Sequence, residues 1–176
     1  MNTRPLPMKY RTCAVIALLA TSLAGCSTTV QKVPLLPPTV ASTAAAGVQV
    51  IDSRTSPDVK VDTERVVGDG GPVIITTEPS VTEALRSWVA AGYQGPQPFY
   101  VGLEKLEVRH KQGLASADQF TCAVDSQVRA GGETGRPVRT SLSSSPTGDA
   151  IGVGVFLSQC LEAHARDINQ AAAATR

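Results

Sequence analysis

The chain has 176 residues, with 16 Lys plus Arg against 15 Asp plus Glu, and is 42% hydrophobic but only 4% aromatic; this suits one small globular domain with attached segments and argues against two. A net charge of +1 with no basic run excludes the clustered Lys and Arg that nucleic acid or an anionic lipid surface would demand. The 4 Cys are too few for a disulfide framework, and none stands in a CxxC or Cys/His spacing, so neither a metal nor another cofactor is expected.

Arg4, Lys9 and Arg11 give a positive start, and Thr12 to Leu23 is an uncharged apolar run. As a helix this run is about 18 Å long, too short for a bilayer core of about 30 Å. It closes on Leu23-Ala24-Gly25-Cys26, which resembles a bacterial lipobox: residues 1–25 are then a signal peptide and Cys26 is the first residue of the mature chain. Lipoprotein processing implies a diacylglycerol thioether on the Cys26 sulfur and a fatty acyl group, such as palmitate, on its amine. Two or more chains anchor stably, because each buried CH₂ contributes roughly 0.8 kcal/mol. The alternative is an ordinary secretory signal in which Cys26 is incidental. Ser27, where inner-membrane lipoproteins commonly carry Asp, implies by the same analogy an outer-membrane location with the domain facing the periplasm. Removing residues 1–25 takes away three positive charges and no negative ones, which turns the net charge from +1 to −2.

Residues 26–46 read as a lipidated Cys and a flexible tether: Lys32 is the single charge from Ser27 to Ala46, and Pro34, Pro37 and Pro38 interrupt small residues. Coil statistics give it a reach of roughly 25 Å, and its Val-Pro-Leu-Leu-Pro-Pro stretch could alternatively serve as a proline ligand. The globular domain spans 47–170. Gly47 to Arg54 begins it with a strand, and a loop rich in Pro, Asp and Gly follows. Val73 to Thr77 is β-branched throughout and reads as a second strand. Ser80-Val81-Thr82-Glu83 fits a capping box. The helix after it runs to about Ala91, with Val81, Leu85, Trp88 and Val89 on one face and Gly92 as the stop.

From Phe99 to His110 the apolar residues change parity, Phe99, Val101 and Leu103 being odd and Leu106 and Val108 even. A β-bulge at Glu104-Lys105 keeps both halves facing the core. The next strand, 118 to 129, turns Phe120, Cys122, Val124, Ser126 and Val128 one way. After the Gly131 to Gly135 hairpin loop, Val138, Thr140 and Leu142 form an edge strand guarded by Arg136 and Arg139. Pro146 to Asp149 caps a final helix whose inner face is expected to carry Ile151, Val155, Leu157, Cys160, Leu161, His164 and Ile168, with Gly152 and Gly154 weakening its first turns. Residues 171–176 are expected to fray. The fold class is therefore α+β: a mixed, mainly antiparallel sheet of about five strands with both helices on one face, in the order β-β-α-β-β-β-α.

The lipobox Cys26, the Pro-bearing tether, Gly47 to Arg54 reading GVQVIDSR, the helix ending in Ala91-Gly92-Tyr93, the Leu103-Glu104-Lys105-Leu106 strand and Asp167-Ile168 in the last helix together resemble the YajG-like lipoproteins, Gram-negative envelope proteins of unknown molecular function. The resemblance spans most of residues 23 to 170 and departs at Cys122 and Cys160.

No catalytic residue is expected. His110 and His164 read as packed or capping residues, Ser141 to Ser145 holds no nucleophile elbow, and Glu104 with Glu107 and Asp62 with Glu64 lie in charged surroundings. Gly68 to Gly71 precedes a strand, so it offers no helix N-terminus to a phosphate. Asp52 and Arg54 are the candidate partner surface, against the plainer reading of an Asp turn beside a surface Arg. Cys122 and Cys160 remain as thiols in an oxidising compartment and form either a structural disulfide, pinning the last helix to the sheet, or two buried free cysteines. The expectation is a non-enzymatic outer-membrane lipoprotein, attached to the membrane through Cys26, binding an envelope protein or a peptidoglycan-associated partner and no nucleic acid. The alternative is an auxiliary lipoprotein of an envelope lipid or small-molecule transport system, which should show an apolar groove between helix and sheet.

Overall fold

Along the chain run β1 (Val30–Pro34), β2 (Val48–Asp52), β3 (Val59–Glu64), β4 (Val73–Glu78), α1 (Val81–Gly92), β5 (Phe99–Lys111), β6 (Gln119–Ala130), β7 (Arg136–Ser144) and α2 (Ala150–Ala173). These come from a computed structural model that describes residues 30–39, 47–65, 72–95, 97–113, 117–130, 134–146 and 150–174. The signal segment, Cys26, Ser27, the Gly68 to Gly71 turn and the cap of α2 lie outside them.

The 13 residues of β5 form the spine of the sheet. Its register against β6 shifts between Leu103 and Lys105, the bulge expected from the parity change, and Phe99, Val101, Leu103, Leu106 and Val108 are all buried as a result. One edge of β5 carries β6 and then β7 in antiparallel ladders. The other edge is shared end to end by two short parallel strands, β2 opposite Phe99–Leu103 and β3 opposite Val108–Lys111. Ser53 N–H donates the last bond of the first ladder to Leu103 C=O at 2.9 Å, and the chain then loops out beside the bulge before returning as β3. Beyond β3 lie β4, antiparallel, and β1, parallel to β4.

The sheet thus has seven strands, two more than expected. Val59–Glu64 alternates buried Val59 and Val61 with exposed Lys60 and Asp62, a strand pattern hidden inside a stretch read as loop. Val30–Pro34 falls in the stretch read as tether. It buries a single side chain, Val33, and its pairing with Ile74–Glu78 is set far along the sequence, where local composition gives no hint of it.

Both helices pack on the same face, and the opposite face carries exposed Lys60, Lys105, Arg109 and Arg139. In α1 the expected box forms: Ser80 Oγ accepts from Glu83 N–H at 3.3 Å, and the Glu83 carboxylate accepts from Ser80 N–H at 3.0 Å. The Ser80 hydroxyl, donating to the same carboxylate at 2.7 Å, and the Ser80 N–H hold the Glu83 carboxyl below its ordinary range. Val81, Leu85, Trp88 and Val89 are buried as read. Gly92, however, is the last helical residue and the cap is Tyr93 in extended conformation. A Cβ at Gly92 would stand 2.5 Å from Asn169 Nδ2 of α2, so a larger residue there would push the end of that side chain aside.

The inner face of α2 is rotated from the expected one. Ile151 is 68% exposed, Val155 is exposed, and the buried residues of the first turns are Gly152, Val153, Gly154, Phe156 and Leu157. A Cβ on Gly154 would lie 2.3 Å from Pro34 C=O and 3.0 Å from Val33 Cγ1, so the glycine lets β1 run directly against the helix. The helix continues into the stretch expected to fray and buries Ala172.

Candidate functional site

Beneath the middle of α2, the inward residues of β6 and the helix meet in two kinds of bond. Cys122 and Cys160 are joined by a disulfide with their Cα atoms 6.4 Å apart, within the span such a bond requires. One turn along the helix from Cys160, His164 is fully buried and touches hydroxyls on both sides: its Nε2 lies 2.8 Å from Ser126 Oγ and its Nδ1 2.8 Å from Thr140 Oγ1. Thr140 Oγ1 in turn stands 2.5 Å from Asp167 Oδ2.

The direction of the protons follows from what each group can do. The Asp167 carboxylate only accepts, so the Thr140 hydroxyl donates to it. Thr140 oxygen then accepts from Nδ1–H, which leaves Nε2 as the acceptor for the Ser126 hydroxyl. His164 is therefore the Nδ1–H tautomer, with every polar atom of its ring partnered. Burial, only partly opposed by the charges of Asp167 and Asp125, lowers its pKa to about 4. A serine, a histidine and an acid stand in sequence here, yet Ser126 is 1% exposed and His164 is 0% exposed. The Ser126 hydroxyl is thus sealed from solvent, and the bonds order protons within the core. His164 is the packed residue expected. Its partner Ser126 was readable as the one hydroxyl on the apolar parity of β6.

Asp52 and Arg54 form a closed unit. Arg54 donates from Nε to Asp52 Oδ1 at 2.8 Å, from Nη2 to Oδ2 at 2.7 Å, and from Nη2 to Pro57 C=O at 2.9 Å. Arg54 N–H also donates to Asp52 Oδ1 at 3.1 Å, the geometry of an Asp turn. The bidentate guanidinium holds the Asp52 carboxyl below its ordinary range. Only 7% of the Arg54 side chain is exposed, and its buried Nη1 has no hydrogen-bond partner. An open depression of about 350 Å³ lies over this turn, with Lys60, Ile74, Glu104 and Lys105 on its walls. Lys60 and Lys105 already pair with Asp62 and Glu107, at 2.8 and 2.9 Å. Asp52 and Arg54 thus hold the loop that carries the chain from β2 to β3: the Asp turn forms as read, whereas the Arg54 side chain is buried and is not the surface Arg expected beside it.

A larger hollow, about 440 Å³, lies between α1 and α2 and not between helix and sheet, where the transport reading expected an apolar groove. Trp88, Ala91 and Ala165 form its apolar walls, Leu36 and Pro38 close one side, and Glu162 and Arg166 stand at the polar side. Asn169 lines it too, donating from Nδ2 to Val89 C=O at 3.2 Å while its buried Oδ1 has no partner. At the far end of the sheet, His110 Nε2 sits 2.9 Å from Asp118 Oδ2 and its ring stacks on Phe120 with centroids 4.3 Å apart. That hydrogen bond, with a second from Gly113 N–H, holds the Asp118 carboxyl below its ordinary range. His110 therefore ties down a strand end. Among the described residues no group of His, Cys, Asp and Glu is placed to hold a metal ion, and no helix is long and apolar enough to cross a membrane.

No family model and no curated protein matches the chain, so the resemblance to the YajG-like lipoproteins rests on the motifs quoted above. Among solved structures, the chain is similar to a Xanthomonas campestris protein of the family DUF330, at 13% identity over 84% of this chain and 100% of that one, with a TM-score of 0.46. It is also similar to a candidate lipoprotein of Caulobacter crescentus CB15, at 10% identity over 76% and 96% of the two chains, with a TM-score of 0.38. At these values the likenesses assign no function.

Proposed function

We propose that the chain is a non-catalytic envelope lipoprotein, anchored in the outer membrane through Cys26, whose periplasmic domain binds an envelope protein or a peptidoglycan-associated partner. The observation that carries this reading is the Cys122–Cys160 disulfide, with both cysteines fully buried, in a chain whose first 26 residues read as an export signal ending in a lipobox. Structural disulfides form in oxidising compartments, so fold and signal point to the same side of the inner membrane. The sealing of the Ser126–His164 pair supports a binding role over a hydrolytic one. The groove between α1 and α2 supports partner binding, since exposed Leu36 and Ala91 line it beside the charged Glu162 and Arg166.

Fatty-acid labelling tests the anchor: label should attach to the wild type and vanish in Cys26→Ala, which should accumulate as unprocessed precursor. Sucrose-gradient fractionation tests the membrane, and co-migration with inner-membrane markers would refute the outer-membrane placement. A photocrosslinker at Glu162, on the groove rim, should capture one envelope partner in living cells; a transport-system subunit recovered there would instead select the second reading, an auxiliary lipoprotein of a transport system.

A further inference from the structure

The distance from the lipid to the domain is far shorter than a tether over 26–46 would give. The sheet begins at Val30, so only Ser27, Thr28 and Thr29 separate it from Cys26. Fully extended, that connection spans at most about 14 Å. The end of the molecule at which β1 starts must therefore sit close to the membrane surface.

Register and packing identify that end. Val30 is paired with Ile74, next to Val73, whose partner Val61 faces Val108 in the last third of β5. β1 runs antiparallel to β5, so it starts where β5 ends, and α2 sets out from the same end after β7. Two successive contacts fix the direction of α2 along this chain: Gly154 packs on Val33–Pro34, and Ser158 Oγ accepts from Leu36 N–H at 3.0 Å. Chain and helix advance together, so Val30 lies level with the first turn of α2 or beyond it.

On that turn the solvent side of α2 is apolar. Ile151 is 68% exposed and Val155, four residues on, is 38% exposed, whereas Val30, in register with Ile74 and through it with Lys60, turns to the opposite face of the sheet. No charged residue occurs from Ala150 to Leu161. Further from the anchor, the exposed side of the same helix reads Gln159, Glu162, Arg166 and Gln170. The outer stripe is thus apolar where the anchor holds it near lipid and polar where it stands away.

We propose that Ile151 and Val155, on the first turns of α2, form a membrane-contact surface that enters the lipid interface of the leaflet holding Cys26, fixing the orientation of the domain. This rests on the lipid-anchor reading. Apolar side chains at such a boundary settle roughly 5–10 Å into the headgroup region, a depth that three connecting residues permit. The contact needs no basic patch, in keeping with the charge of the chain, and it turns the far end of α2, with Glu162 and Arg166 at the groove, away from the bilayer.

The test uses the full lipidated protein, in which the disulfide and the acylated Cys26 leave no free thiol. Ile151→Cys, Val155→Cys and, as the distant control, Arg166→Cys are labelled with an environment-sensitive fluorophore. Each is reconstituted in phosphatidylethanolamine–phosphatidylglycerol vesicles carrying a nitroxide on the lipid chains. Quenching several-fold stronger at 151 and 155 than at 166 is the expected result. Equal quenching at all three sites in protein that floats with the vesicles overturns the contact and leaves the anchor standing. Protein that fails to float refutes the anchor and the contact with it. Absence of quenching at 151 and 155, with the same cysteines shielded from alkylation in native membranes, would assign the surface to a protein and also overturn the proposal.

Discussion

Helix α2 is held at two places by opposite means. Under its middle, the sheet grips it with side chains: a disulfide from Cys160 to Cys122 and the hydrogen-bond chain from Ser126 through His164 and Thr140 to Asp167. At its first turns it meets β1 through the lack of a side chain, Gly154 lying against the Pro34 carbonyl. The first region fixes which residues face each other; the second fixes how near two backbones come. Directional bonds tolerate small shifts of the backbone, whereas a bare backbone contact tolerates no added atom.

The covalent link should matter most. Replacing both cysteines, Cys122→Ala with Cys160→Ala, releases a crosslink between positions 38 apart, which the chain-entropy account values at about 4 kcal/mol. Urea denaturation should show the loss, and reductant added to the wild type should reproduce it. Quantitative alkylation of both thiols in the untreated wild type would remove the bridge from the comparison altogether.

The polar part of the same grip should be visible in pH. Unfolded, His164 takes a proton near pH 6.5, but folded it refuses one until about pH 4. Between those values the unfolded chain binds more protons, so stability is complete above pH 6.5 and falls as the pH drops toward 4, by on the order of 3 kcal/mol at most. His164→Leu should lower stability at neutral pH by about 1–3 kcal/mol, because the buried Ser126 hydroxyl loses its partner and Thr140 keeps only Asp167. It should also flatten the slope through this window. Identical slopes in the two proteins would sink the assignment to His164.

Gly154→Ala probes the other region. An alanine elsewhere in a helix would gain about 1 kcal/mol over glycine; here the added carbon must displace β1, and a net loss of about 1–3 kcal/mol is expected. Hydrogen exchange should accelerate at β1 and leave the β6 amides near Cys122 protected. The smallest effect belongs to a site outside both regions: Ser80→Ala removes half of the α1 capping box and should cost about 1 kcal/mol, read from the thermal midpoint at neutral pH.

The sequence by itself determined what depends on neighbours along the chain. The capping box at Ser80 and Glu83, the parity change that makes the bulge in β5, the alternation of β6 and the inward placement of Cys122, Cys160 and His164 were all legible, since strand and helix periods sort side chains locally. Tertiary structure alone decided three further things. It made Val30–Pro34 a strand, because an edge strand with one buried side chain gets its stability from the distant Ile74–Glu78 it pairs with. It rotated the first turns of α2 so that Gly152 and Gly154 face inward and Ile151 and Val155 outward, because at Gly154 β1 occupies the place that a side chain would fill. And it joined Ser126, His164, Thr140 and Asp167 into one proton-ordered chain, since hydrogen bonds between separate elements depend on where the packed helix comes to rest, which no local period encodes.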